Sequence, residues 1–189
     1  MRGLWLLCAT VLVPGAALAA GGLPATIFPE MVMLPAMPRG KSFAIARTET
    51  TFAQWDACVA AGGCPAVGDD AGLGRGTKPA INISWNDANS YARWVSSATG
   101  RFCRLPTSAE WTFAAQGGKR DPYWWGGTMQ PGMASCRGCN PGQPDLGPMP
   151  VGSFPPNPYG LYDMNGNVAE WTMDCAVRHA GGGCAARAT

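Results

Sequence analysis

The chain has 189 residues, a formal net charge of +2, 47% hydrophobic residues and 14% charged ones. A basic excess this slight and this scattered excludes the electrostatic footprint of a nucleic-acid-binding domain and a basic membrane-binding face. Its 26 glycines and 17 prolines require many fixed turns, while eight tryptophans and six phenylalanines supply enough burial to exclude a disordered chain.

Residues 1–20 read as a secretory signal peptide. Arg2 provides the charged head, residues 4–13 an apolar run, Pro14 and Gly15 a break, and Ala17, Leu18 and Ala19 a small-residue cleavage box. The run is too short to span a bilayer, which takes about 20 residues. Residues 21–189 are then one domain of about 170 residues, periplasmic or secreted and without a membrane anchor after cleavage.

Eight cysteines in an exported chain predict disulfides. Close spacing singles out Cys58 with Cys64, Cys136 with Cys139, and Cys175 with Cys184. Cys103 is left over once Cys8 is assigned to the leader, which leaves open a free thiol, an intermolecular bond or a missing partner. Spacing alone does not set the connectivity.

The segment MVMLPAM, followed by FAIARTE, predicts strands joined by a turn. TTFAQWDACVAAGG predicts a helix that puts Phe52, Trp55, Cys58 and Val59 on one face and ends at Gly62 and Gly63. INISW reads as a short strand. Ser84 then caps a helix with Asp87 in its first turn, an apolar stripe of Trp85, Ala88, Tyr91, Ala92 and Val95, and a stop at Gly100. Thr107 and Glu110 form a capping box ahead of Trp111, Ala114 and Ala115. Few regular elements are expected after Gly118. Three short helices, a few strands and long ordered loops make the class α+β.

GLYDMNGNVAEW gathers Asp163, Asn165, Asn167 and Glu170, with Gly160 and Gly166 free to fold tightly. Hard cations take six to eight oxygens, backbone carbonyls included. The stretch therefore reads either as a calcium loop or as a turn in which Asn and Asp satisfy the backbone; the EF-hand spacing is absent. Cys136 and Cys139 form a C-x-x-C lacking the second pair of a zinc site, so a local disulfide is the plainer reading. His179, in a Gly-rich tail, has no nucleophile beside it in sequence. Arg104 and Glu110 are placed to pair. Trp124 and Trp125 read as core or loop-anchoring aromatics or, if exposed as a pair, as the lining of a ligand groove.

Four segments, TETTFAQWDACVAAGGC, PAINISWNDANSYARWVSSATGRFCRLPTSAEWTFAA, YWWGG and PVGSFPPNPYGLYDMNGNVAEWTMDC, resemble the sulfatase-modifying-factor family in order and spacing. The best-known members of that family are the formylglycine-generating enzymes. The resemblance implies a modified C-type-lectin-like α+β fold, rich in loops. It implies structural calcium held by the side chains of Asp163 and Glu170 and the carbonyls of Gly166 and Val168. It places a second calcium site near Ser135 and Cys136, where Ser135 stands in for an asparagine.

The enzymes of the family oxidise a sulfatase cysteine to formylglycine with oxygen and a copper(I) ion held by two cysteines, which follow an R-G-G-S-W block. No cysteine of this chain aligns with that pair, so no catalytic residue is assigned and copper is expected only with such a block. The resemblance thus implies an exported formylglycine-generating-type domain, inactive as given and lacking its C-terminal block, with a sulfatase or other protein or peptide as partner. The alternative is a non-catalytic exported binding module on the calcium-stabilised, lectin-like scaffold.

Overall fold

A computed structural model describes residues 2–8, 27–38, 40–139, 147–174, 177–178 and 184–185. Eleven short elements appear among the described residues. Strands β1 (Arg2–Gly3), β2 (Leu7–Cys8), β3 (Met31–Leu34) and β4 (Phe43–Ala46) precede helices α1 (Phe52–Ala60) and α2 (Trp85–Thr99). Strand β5 (Cys103–Arg104), helix α3 (Ser108–Gln116), and strands β6 (Ala169–Glu170), β7 (Val177–Arg178) and β8 (Cys184–Ala185) follow. Among the described residues no helix is long and apolar enough to cross a membrane.

Each helix starts where its sequence says it should. Thr51, Ser84 and Thr107 accept from the backbone N–H three residues on, and Gln54, Asp87 and Glu110 return the bond to the cap. These capping boxes satisfy donors that a helix end otherwise leaves unpaired. Helix α2 stops at Gly100 and α3 at Gly117, both left-handed. Their apolar faces bury Phe52, Trp55 and Cys58, then Ala88, Tyr91, Ala92 and Val95, then Trp111, Ala114 and Ala115. Trp55 stacks on Tyr91 with ring centres 5.7 Å apart, which locks α1 to α2.

The central sheet has four strands in the order β3-β4-β2-β5. All its pairings are antiparallel, with Val32 opposite Ile45 and Leu7 opposite both Ile45 and Arg104. Residues 2–8, which fall inside the segment read as a leader, are thus built into the domain. Leu4, Trp5 and Leu6 are fully buried, and such side chains contribute about 1.5–3 kcal/mol each. Strand β1 continues the same segment and runs parallel to β6, with Arg2 opposite Ala169 and Gly3 opposite Glu170. A Cβ on Gly3 would lie 2.5 Å from the Val168 side chain, so this close approach requires glycine.

Among the described residues, three disulfides join Cys58 to Cys64, Cys136 to Cys139, and Cys8 to Cys103. The leftover Cys103 therefore has its partner in the amino-terminal segment. Cys175 lies outside the described residues, and the side chain of Cys184 with it. His179 does too.

The strand expected at INISW does not form. Ile81 and Ile83 are buried and Asn82 is exposed, so the alternation is real. Asn82, however, turns left-handed at φ 59°, which breaks an extended ladder. Its side chain instead donates to the carbonyl of Asp69.

Candidate cation loop and its buried acids

The loop over residues 157–170 is held from beneath before it presents any oxygen. Buried Asn157 donates to the carbonyl of Ala114 at 2.7 Å and accepts from the N–H groups of Tyr159 and Leu161. Leu161 and Met164 drive into the core. Gly166 sits at φ 95°, and a Cβ there would come within 2.4 Å of the Ser135 carbonyl oxygen. That carbonyl accepts from the N–H of Asn167 at 2.7 Å. Ser135 thus docks this loop, while its hydroxyl donates to the carbonyl of Gly147.

Three buried carboxyls surround the loop. Asp163, left-handed at φ 55°, accepts from Gly152 N at 2.5 Å through Oδ2. Glu170 Oε1 accepts from the Trp5 indole N–H at 3.2 Å. Glu49, between β4 and α1, is 0% exposed and accepts from Asn167 Nδ2 at 3.0 Å. Burial, and then the charge of Asp163, push the Glu49 carboxyl well above the usual carboxylate range. Burial, then the charge of Glu49, do the same to Glu170. Burial raises Asp163 against the hydrogen bonds of Gly152 and Phe154.

Several oxygens here have no hydrogen-bond partner: Glu49 Oε2, Asp163 Oδ1 and Asn165 Oδ1 are all buried. An unsatisfied buried oxygen costs about 1–3 kcal/mol, and more when charged. Among the described residues no three His, Cys, Asp or Glu side chains are arranged to hold a metal ion by themselves. A cation at this loop would draw on carbonyl and amide oxygens beside the carboxylates. Hard oxygens, surplus negative charge and orphaned acceptors fit calcium in that mixed form.

Of the residues expected from sequence, Asp163, Gly166, Val168 and Glu170 lie on this one loop and its outgoing strand. Glu49 is the residue that sequence reasoning missed. Its signal was an acid directly between a buried strand, FAIA, and a buried helix start, where a charge is costly unless it has a task. Trp5 was missed because it was assigned to the leader. Trp124 and Trp125 pack within their own loop: Tyr123 stacks on Trp125 at 4.9 Å, Trp124 meets Trp125 edge-on, and the Trp125 indole N–H donates to the Thr128 carbonyl. Arg104 pairs with Glu110 through two hydrogen bonds of 2.8 and 2.7 Å.

Residues 7–189 match the family model described as the sulfatase-modifying factor enzyme 1-like domain. The chain belongs to this family. Among relatives of the sulfatase-modifying-factor domain, it is 38% identical over 121 residues to the formylglycine-generating enzyme of Mus musculus, a match that covers 59% of this chain and 31% of that protein. It is 45% identical over 107 residues to the formylglycine-generating enzyme of Mycobacterium tuberculosis, covering 52% of this chain and 34% of that one. It is also 43% identical over 115 residues to the inactive C-alpha-formylglycine-generating enzyme 2 of Bos taurus, covering 54% and 36%. The chain thus spans 31% to 36% of the length of these relatives.

The domain superposes on PvdO from Pseudomonas aeruginosa with a TM-score of 0.62 and 29% identity, covering 86% of this chain and 78% of that one. CarF, at 24% identity and a TM-score of 0.65, covers 82% and 84% and supports the fold alone. The architecture is accordingly the loop-rich α+β fold of the formylglycine-generating-enzyme type.

Proposed function

We propose that this chain is an exported formylglycine-generating-type domain whose described part supplies a calcium-stabilised scaffold rather than the copper chemistry. One observation carries this reading: Cys58 pairs with Cys64, Cys136 with Cys139 and Cys103 with Cys8, so that among the described residues the loss of residues 1–20 would free Cys103 alone and leave no pair of thiols for copper(I). Copper(I) is held by soft thiolates, and a disulfide sulfur carries no such charge. The Cys58–Cys64 and Cys136–Cys139 disulfides, which draw on nothing from residues 1–20, support a periplasmic or secreted location, in line with the leader composition of that segment.

Calcium, when bound, supplies a divalent charge that offsets buried carboxylates and ties the loop together. Asp163 and Glu170 would hold it by side chain, with the Gly166 and Val168 carbonyls completing the set. Asn157 and Ser135 keep the loop in the shape that presents those oxygens. The partner consistent with the family is a sulfatase or another protein or peptide carrying a cysteine, met on the loop-rich surface.

Two measurements test the reading. Incubation of the chain with copper(I), oxygen and a Cys-x-Pro-x-Arg peptide is expected to leave the peptide mass unchanged; conversion of its cysteine to formylglycine would make the chain a working enzyme and sink the proposal. Calcium is expected to raise the melting temperature, by mass action on the folded state. Asp163→Ala and Glu170→Ala are expected to remove that response. Identical melting of the parent protein in calcium and in chelator would overturn the calcium assignment.

A further inference from the structure

The buried acid least explained by the fold is Glu49. It comes 118 positions before Asn167, to which it is hydrogen-bonded, and it has no exposed surface. Its neighbours in sequence do ordinary work. Thr50 N donates to the Leu4 carbonyl, the Thr50 carbonyl accepts from Ala80 N, and Thr51 caps α1. Burying a carboxyl among them gains the fold nothing by hydrophobic transfer and costs several kcal/mol if it is charged and uncompensated. A leucine of similar volume would pack without that cost.

What the Glu49 carboxyl does is grip the residue between two of the proposed carbonyl ligands. Asn167 follows Gly166 and precedes Val168. It is left-handed at φ 58°, a conformation that needs outside support in a residue with a Cβ. The support is complete: its N–H donates to Ser135 O, its Oδ1 accepts from Met149 N at 2.8 Å, and its Nδ2 donates to Glu49 Oε1 at 3.0 Å. Rotation of Asn167 would swing the Gly166 carbonyl directly and re-aim the segment that carries the Val168 carbonyl. The second oxygen of Glu49 has no hydrogen-bond partner; Glu49 feels the charge of Asp163 and its own charge acts on Glu170.

We propose that Glu49 is a positioning residue of the cation loop, one that sets the Gly166 and Val168 carbonyls through Asn167 and adds a third negative charge for the cation to offset. The inference rests on the calcium reading above and extends its site to a part of the chain far away in sequence. It also explains why the site needs no third ligating carboxylate: Glu49 acts one bond further out. Partners of this kind orient ligands, and losing one typically weakens metal affinity about 10- to 100-fold.

Glu49→Gln separates the two roles the residue could have. The amide keeps the shape and can still accept from Asn167, but removes the charge. Without calcium the variant is expected to melt at the parent temperature or above it, because a repulsive buried carboxyl is gone. Its affinity for calcium chloride by titration calorimetry is expected to fall at least about tenfold. Asn167→Gly, which tolerates the left-handed backbone and deletes the amide, is expected to weaken calcium comparably. Parent-like calcium affinity in Glu49→Gln would overturn the role assigned to Glu49. Absence of calcium binding in the parent protein would instead overturn the calcium reading, and the positioning role with it.

Discussion

Trp5 donates its indole N–H to Glu170 at 3.2 Å, across 165 positions of sequence. The bond joins the amino-terminal segment to the strand that leaves the acidic loop, and both residues are buried. Trp5→Phe keeps an aromatic ring in the core but leaves a buried carboxyl oxygen without its donor. The expected loss is about 1–3 kcal/mol, read as a lower urea midpoint at an unchanged slope. An unchanged midpoint would show that Glu170 finds another donor.

Residues 2–8 lie inside the segment expected to be removed on export, and they also close the sheet. Cutting at the Ala17-Leu18-Ala19 box would take β1 and β2 away, open the edges of β4 and β5, and release Cys103 from Cys8. A chain starting at residue 21 is therefore expected to label at Cys103 with a thiol reagent, as the chain carrying residues 1–20 does not unless reduced. Its melting temperature is expected to be lower. The disulfide closes a stretch with a sequence separation of 95, for which chain entropy predicts up to about 5 kcal/mol. The mass of the protein recovered from cells identifies which of the two forms accumulates. A chain from residue 21 with unchanged melting would show that the sheet does not depend on residues 2–8.

The Arg104–Glu110 pair predicts one part of the acid behaviour. Burial pushes the Glu110 carboxyl up, but hydrogen bonds from Arg104 and from Thr107 outweigh it and hold the group below the usual carboxylate range. A carboxyl depressed in the fold stabilises fully above its unfolded pKa, and that stabilisation is lost as pH falls through the folded one. Stability is therefore expected to drop as the pH falls below about 4, and Glu110→Gln is expected to flatten that limb. At neutral pH the variant should lose about 1–3 kcal/mol, since Glu110 also completes the cap of α3. An acid limb of the same depth in the variant would place the titration elsewhere.

The helices were legible because their information is local. Thr51, Ser84 and Thr107 cap within one turn, and the apolar stripes need only the 3.6-residue period. Close spacing likewise made Cys58 with Cys64, and Cys136 with Cys139, candidate pairs, though the connectivity itself came from the structure. The strand at INISW was misread because alternation reports burial and not backbone sign: Asn82 satisfies its neighbourhood in a left-handed turn. The order of oxygens in GLYDMNGNVAEW is plain in the sequence, but a turn and a cation loop share that composition.

By itself the sequence determined the α+β class, the three capped helices, the family resemblance and the loop that bears Asp163, Gly166, Val168 and Glu170. Only the tertiary structure decided that Cys103 pairs with Cys8, that Trp5 reaches Glu170, and that Glu49 stands behind Asn167. The physical reason is range. Caps and stripes are set by neighbours a turn away, whereas a buried carboxyl or an odd cysteine is settled by whatever the sheet order brings beside it, here from 95 to 165 positions away.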